Sequence, residues 1–131
     1  MSEGRPSSAR RGYDADWRKR RDEQLERQPW CELDAERAVR ATFPEYPTAE
    51  ATANLLAYAF KWMEPSATSF IAGGGHVVRR AGTVDHRKPR RTFPPELQGS
   101  DAPGGSEHPD NLRSLCHSCH SRRADDKARR A

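Results

Sequence analysis

The pattern of hydrophobic and polar positions predicts helices and short strands, and few of their residues are apolar. Residues 14–28 contain helix-forming side chains without interruption up to the next proline, which predicts a helix. Asp14 or Asp16 can cap this helix, and its only large apolar side chains are Trp17 and Leu25. We therefore expect a surface helix whose basic residues either contact a partner or form a solvated face balanced by glutamates.

The middle of the chain predicts an apolar helix followed by a hairpin. Residues 48–63 carry apolar side chains at helical spacing. We interpret their aromatic stripe as core that covers a small sheet, in preference to a protein-docking face, because such stripes are more often buried. Residues 67–72 and 76–80 predict two strands, and the glycines at 73–75 predict a turn between them. A phosphate-binding loop is disfavoured, since no Lys-Ser or Lys-Thr follows the glycines.

The last third of the chain predicts two strands and a helix. One β-branched stretch ends at residues 85–86, and a loop rich in Gly, Pro, Ser and Asp covers residues 94–109. A second short strand is expected to start at residues 110–111, and a closing helix covers residues 116–128. We interpret His108, in the loop, as a surface residue, because an isolated loop histidine is normally exposed.

Composition limits the size of the core. The chain has 131 residues, of which only 34% are hydrophobic and 32% are charged. We expect a disordered basic arm over residues 1–12 and a single domain over residues 13–131. A core this small is commonly supported by a metal ion or by disulfide bonds.

The cysteines indicate a metal site. Three cysteines cannot all pair, and Cys116 and Cys119 have the Cys-x-x-Cys spacing of a zinc half-site, with Cys31 as a third candidate ligand. The chain shows no signal peptide and no membrane-length apolar run, which favours a reducing cytoplasm and no membrane partner. A thiol redox function of Cys116 and Cys119 would need a βαβ setting that the pattern does not predict.

Basic residues are concentrated around residues 85–86. The net charge of +4 does not by itself identify a nucleic-acid partner. Its distribution is more informative, because arginines next to a candidate base can neutralise phosphate and hold a nucleic-acid backbone in register. The residues predicted to contact DNA are Arg79, Arg80, Arg87, Lys88, Arg90, Arg91, Arg122 and Arg123.

A family resemblance rests on three motifs in the last third of the chain and two near its beginning. They are Val84-Asp85-His86, Pro109-Asp110-Asn111-Leu112, Leu115-Cys116-x-x-Cys119-His120-x-x-Arg123, the segment 11–19 and Pro29-Trp30-Cys31-Glu32. Together they resemble the His-Asn-His (HNH) endonucleases, in the zinc-supported form found in bacteriophage and prophage genomes. The resemblance covers residues 10–40 and 82–125, so we interpret the helix and hairpin at about 40–80 as an insertion.

The resemblance implies an α+β fold with a small ββα-metal core, flanking helices and a structural zinc site. It also implies a metal-dependent DNA endonuclease in which His86 is the general base, Asp85 and His120 bind Mg²⁺ or a similar ion, and Asn111 fixes the loop that orients His86. The chemistry of each residue type agrees with the role that the resemblance implies for it. A histidine titrates near neutrality, a carboxylate is a hard oxygen ligand, and an amide can brace a loop without titrating. His117 is expected to point outward.

The zinc site departs from the family pattern at one ligand. The family usually has a second cysteine three positions after Cys31, and this chain has Asp34 there. The fourth ligand could be Asp34 or a histidine such as His76, or zinc could be absent and Cys31 a packing residue. We predict that Asp34 is the fourth ligand.

The expected partner is DNA in a bacterial host cell. Family context further suggests a terminase large subunit as a protein partner and a role in phage genome processing or packaging. The alternative is a zinc-stabilised DNA-binding module without cleavage activity. The presence of Asp85, His86, Asn111 and His120 together argues against it, because a binding module needs no base beside a metal ligand.

Overall fold

The structure, a computed structural model, describes residues 8–45 and 48–130. These residues form four helices and four short strands. The helices are α1 (Ser8–Arg27), α2 (Glu32–Thr42), α3 (Thr48–Trp62) and α4 (His117–Arg130). The strands are β1 (Ser69–Ile71), β2 (Val77–Arg79), β3 (Thr83–His86) and β4 (Leu112–Leu115), arranged as two antiparallel pairs. The predicted α+β class is confirmed.

Helix α1 begins earlier than the sequence pattern predicts. It starts at Ser8 instead of Asp14, so residues 8–12 of the predicted disordered arm are helical, and residues 1–7 lie outside the described part. The alanine and two arginines after Ser8 are good helix formers, which accounts for the extension. The helix packs against β3 and β4, and Nε2 of Gln24 donates a hydrogen bond to Oγ of Ser114 at 3.1 Å.

Helix α2 was not predicted. The sequence pattern predicts only a turn around Cys31. In the structure Cys31 is the N-cap of α2, and its Sγ accepts a hydrogen bond from the backbone N–H of Asp34. Its buried residues Ala35, Ala38 and Val39 have helical spacing, but two of them are alanines, which give a weak apolar signal. The run of alanines and charged helix formers was the available indication.

Helix α3 matches the prediction in position but only partly in role. It packs against α2 through Leu56 and Ala59, which are buried. Tyr58, Phe60 and Trp62 are 54%, 55% and 63% exposed, so the interpretation of the aromatic stripe as core is wrong for these residues. Leu56 and Ala59, three positions apart, lie on the side of α3 that contacts α2, and the three aromatic side chains lie mostly outside that contact.

The predicted hairpin is confirmed. Strands β1 and β2 are antiparallel with Phe70 opposite Val78, and the glycine turn contains Gly74 and Gly75 at φ of 76° and 81°, where a residue without Cβ is favoured. The hairpin joins α2 and α3 in one core through Trp30, whose ring contacts Phe70 at 5.0 Å. Residues 40–80 therefore contribute most of the hydrophobic core that surrounds Trp30.

The last third forms the predicted ββα unit. Strands β3 and β4 are antiparallel, with Val84 opposite Ser114 and Asp85 opposite Arg113, and α4 follows β4 directly. Residues 110–111 do not start the second strand as predicted, because they lie in a 3₁₀ turn (Pro109–Asn111) and the strand starts one residue later. The proline at the start of this turn has no N–H to give to a strand partner, which favours the turn.

The helices of the described residues are all too short or too polar to cross a membrane.

Candidate active site and metal cluster

His86 ends β3 and is held on two sides. Its imidazole stacks on the indole of Trp17 from α1, with ring centroids 4.8 Å apart and an angle of 20° between the planes. Its Nε2 lies 3.1 Å from Oε1 of Glu107. The His86 side chain is 20% exposed, so one part of the ring stays accessible.

Glu107 is the acid in contact with His86, and the sequence interpretation missed it. It is only 2% exposed and lies in the loop between β3 and β4, with Oγ of Ser106 donating a hydrogen bond to its Oε2. Burial acts to raise the pKa of Glu107, but its contacts with His86, Ser106 and Arg90 outweigh burial, and the pKa is lowered. The loop composition suggested solvent exposure, so no sequence signal pointed to a buried carboxylate.

Asn111 connects the two ends of the active-site loop. Its Nδ2 donates to the backbone oxygens of Ser106 and Lys88 at 2.7 and 3.1 Å, and its Oδ1 accepts from the N–H of Lys88 at 2.9 Å. Its own backbone oxygen accepts from the N–H of Arg87 at 2.7 Å. The side chain is buried, and these bonds fix the chain immediately after His86.

Asp85 and His120 are on neighbouring elements. Asp85 is buried on β3, and its Oδ2 accepts a hydrogen bond from Nε of Arg123 at 2.7 Å. Arg123 follows His120 by three positions on α4, so both residues lie on the same face of the helix. The strand carrying Asp85 packs against α4. His120 therefore lies on the same face of α4 as Arg123, which contacts Asp85.

The residues predicted to contact DNA fall into two groups. One group has structural contacts: the Arg80 guanidinium lies 4.5 Å from the centre of the Trp30 ring, and Arg87 donates to Glu32 at 3.0 Å. Arg79, Arg122 and Arg123 likewise contact carboxylates or sulfur within the protein. Arg90 belongs to the same group, because its charge acts on Glu107 and helps to lower the pKa of that acid. In the second group, Lys88 and Arg91 are exposed close to His86 in sequence.

Four buried residues form a cluster that could hold a metal ion. Cys31, Asp34, Cys116 and Cys119 each offer one ligand atom, and these atoms all lie within 4.8 Å of one another. Cys31 and Asp34 come from the first turn of α2, whereas Cys116 and Cys119 come from the start of α4. Asp34 occupies the fourth position, as predicted. Three sulfurs and one carboxylate oxygen suit tetrahedral coordination of zinc.

The cluster is surrounded by positive charge. Arg37 donates to Sγ of Cys119 at 3.1 Å, Arg122 lies 3.5 Å from the same sulfur, and the backbone N–H of Arg79 donates to Oδ2 of Asp34 at 3.0 Å. Three thiolates and a carboxylate around Zn²⁺ would carry a net negative charge, which these arginines can balance. Burial raises the pKa of Cys119, and a cation in the cluster would favour its thiolate form.

Comparison with known protein families gives a match over part of the chain. Residues 74–126 match the family model described as HNH endonuclease. No curated protein and no solved structure matches the chain. The matched segment contains β3, β4, Asn111 and most of α4, whereas Trp17, Cys31 and Asp34 lie outside it.

Proposed function

We propose that the protein is a metal-dependent endonuclease that hydrolyses phosphodiester bonds of DNA, and that residues 74–126, which match the HNH endonuclease family model, form its catalytic domain. The observation that carries the proposal is the ββα unit with Asp85 and His86 at the end of β3 and His120 on the facing helix. Phosphodiester hydrolysis requires a base for the attacking water and positive charge for the phosphoryl oxygens, and this arrangement offers both.

His86 is the proposed general base. Its imidazole is partly accessible at the end of the strand and is held by its neighbours. A neutral histidine can take a proton from water at physiological pH, since its unperturbed pKa is near 6.5. Asn111 holds the backbone after His86 through its hydrogen bonds to Lys88, which supports its proposed role in orienting the base.

Asp85 and His120 are the proposed ligands of one divalent ion, Mg²⁺ or a similar hard cation. When bound, such an ion neutralises charge on the phosphoryl and leaving oxygens. The hydrogen bond from Arg123 uses one oxygen of Asp85, and a carboxylate retains further lone pairs for a cation. His120 would bind the ion through an unprotonated ring nitrogen.

DNA contact is proposed for the exposed basic residues next to the base. Lys88 and Arg91 follow His86 within five positions and are exposed, so they can reach phosphates on either side of the scissile bond. Arg80, Arg87 and Arg122 have contacts inside the protein, which makes a structural role sufficient to account for them.

A structural zinc ion is proposed for the cluster of Cys31, Asp34, Cys116 and Cys119. The cluster joins α2 to α4, and His120 directly follows Cys119. Whatever fixes the start of α4 also fixes a proposed ligand of the catalytic ion, so zinc binding and cleavage are expected to depend on each other.

The test compares two histidines. His86→Ala should abolish plasmid cleavage while DNA binding persists, because the change removes the base and no phosphate contact. His117→Ala, at an exposed position three residues from His120, is the matched control and should cleave like the wild type. Asp85→Ala and His120→Ala should raise the Mg²⁺ requirement or eliminate cleavage. Wild-type turnover by His86→Ala would contradict the assignment, and a wild type that binds DNA without cutting it would support a binding module.

A terminase large subunit remains the proposed protein partner, on the family resemblance alone. Co-purification of this protein with the terminase of the same genome tests the association. Absence of binding, together with normal packaging after deletion of the gene, would contradict it.

A further inference from the structure

Glu107 is a buried acid that the mechanism above does not use, although it contacts the proposed base directly. We propose that Glu107 is a positioning residue for the endonuclease: its carboxylate accepts the hydrogen on Nε2 of His86 and thereby makes Nδ1 the nitrogen that takes the proton from water. The proposal rests on the proposed function, since it gives His86 the role of base.

The contact has the distance of an ion pair, and the proposed hydrogen bond needs a small shift of the imidazole, because Nε2 does not meet hydrogen-bond geometry in this rotamer. Nε2 of His86 and Oε1 of Glu107 are 3.1 Å apart, and Glu107 is 2% exposed. Burial of a carboxylate is unfavourable unless its oxygens have hydrogen-bond or ion-pair partners. Oε2 has a partner in the hydroxyl of Ser106, and His86 occupies Oε1.

The backbone around Glu107 is held in place. Its N–H donates to the oxygen of Ser100 at 2.9 Å, and the oxygen of the preceding residue, Ser106, accepts from Nδ2 of Asn111 at 2.7 Å. The same asparagine binds the backbone of Lys88, just after His86. Asn111 therefore fixes the backbone of both partners, and Glu107 then acts on the imidazole itself.

The protonation states define which nitrogen is basic. The contacts of Glu107 lower its pKa in spite of burial, so it is ionised at neutral pH and can only accept hydrogen bonds. A neutral imidazole has one N–H and one bare nitrogen, and an N–H on Nε2 leaves Nδ1 bare. The proton then moves from water to Nδ1, the hydroxide attacks phosphorus, the 3′ oxygen leaves and takes a proton from solvent, and the carboxylate stabilises the imidazolium.

Trp17 also restrains the imidazole of His86. Its indole lies almost parallel to the imidazole at 4.8 Å, so it covers one face of the ring and opposes rotation. Trp17 belongs to α1 and lies outside the matched segment, whereas Glu107 lies inside it. The base is thus held by a carboxylate near one ring nitrogen and an aromatic ring on its face.

The first test measures the tautomer. The full chain, loaded with zinc and labelled with ¹⁵N in histidine, is examined by long-range ¹H–¹⁵N correlation, and His86→Ala identifies the His86 signals. Neutral His86 is expected as the Nε2–H form. A neutral His86 carrying its hydrogen on Nδ1 would overturn the proposal. This measurement does not depend on cleavage, so it stays decisive even if the wild type cuts no DNA and the proposed function fails.

The second test measures cleavage kinetics per folded molecule. Glu107→Ala should lower kcat by about 10- to 100-fold, the range seen when a partner that orients a functional histidine is removed, with KM and DNA affinity unchanged. Glu107→Gln keeps an oxygen that can accept from Nε2 and should recover part of the loss. Glu96→Ala, an exposed glutamate of the same loop, is the control and should match the wild type.

Two kinetic outcomes would overturn the proposal. One is a Glu107→Ala variant with wild-type kcat. The other is a loss of activity that equals the loss of folded protein, measured by circular dichroism at the assay temperature, in both Glu107 variants alike.

Discussion

Removal of the proposed zinc ion from the cluster of Cys31, Asp34, Cys116 and Cys119 is expected to destabilise the whole fold. The cluster connects α2 to α4 in a protein whose second core group consists mainly of the three cysteines and Leu115. Without the ion, that group keeps little apolar surface to hold the two helices together.

The size of the effect follows from the chain separation of the ligands. Asp34 and Cys119 are 85 positions apart. A cross-link that closes a loop of this length restrains the unfolded chain by about 4.5 kcal/mol. A domain of this size has about 5–15 kcal/mol of total stability, so the loss would be a large fraction of it. At about 4 °C per kcal/mol, we expect the melting temperature to fall by about 15 °C or more.

The assay is thermal unfolding of the zinc-loaded protein before and after dialysis against a chelator, with zinc measured by elemental analysis. About one zinc per chain is expected, as for a single four-ligand site. Asp34→Ala should lower zinc affinity, and Asp34→Cys, which restores a sulfur ligand, should keep or raise it. A purified active protein without zinc whose Cys31→Ser variant melts like the wild type would refute the reasoning, and Cys31 would then be a packing residue.

Two substitutions in the active-site loop give further predictions. A Cβ on Gly105 would lie 2.2 Å from the backbone oxygen of Ser100, whereas one on Gly82 would meet no atom within 4 Å. Gly105→Ala should therefore lower the free energy of unfolding, measured by denaturant titration, by about 1–3 kcal/mol. Gly82→Ala is the control and should leave the free energy of unfolding unchanged. Asn111→Ala leaves buried backbone groups without partners and should cost about 1–3 kcal/mol while lowering kcat with zinc content unchanged; a variant with wild-type kcat would contradict the role of Asn111.

The ββα unit and the metal cluster could be predicted because their signals are local. The strand before His86, the Cys-x-x-Cys of the last helix and the glycine turn of the hairpin each lie within a few residues. The Asp34 position followed from spacing after Cys31, and the four ligand atoms do meet in one buried cluster.

The features that could not be predicted depend on tertiary contacts or give only weak signals in the sequence. Helix α2 buries two alanines, which give little apolar periodicity. Glu107 lies in a polar loop, and only the folded chain brings its carboxylate to His86. Trp17 looked like an isolated surface aromatic, and its partner is 69 positions further along the chain (86 minus 17). Pairings over such distances leave no pattern in a single sequence.

The most direct test of the account is cleavage of supercoiled plasmid by the zinc-loaded wild type, with Mg²⁺ present or omitted. Zinc content is measured in both samples, so that loss of the structural ion cannot be mistaken for loss of the catalytic one. We expect nicked or linear DNA with Mg²⁺, intact plasmid without it, and intact plasmid for His86→Ala under both conditions. Cleavage that persists in zinc-loaded His86→Ala, or a wild type that leaves the plasmid intact with Mg²⁺, Mn²⁺ and Ni²⁺ alike, would contradict it.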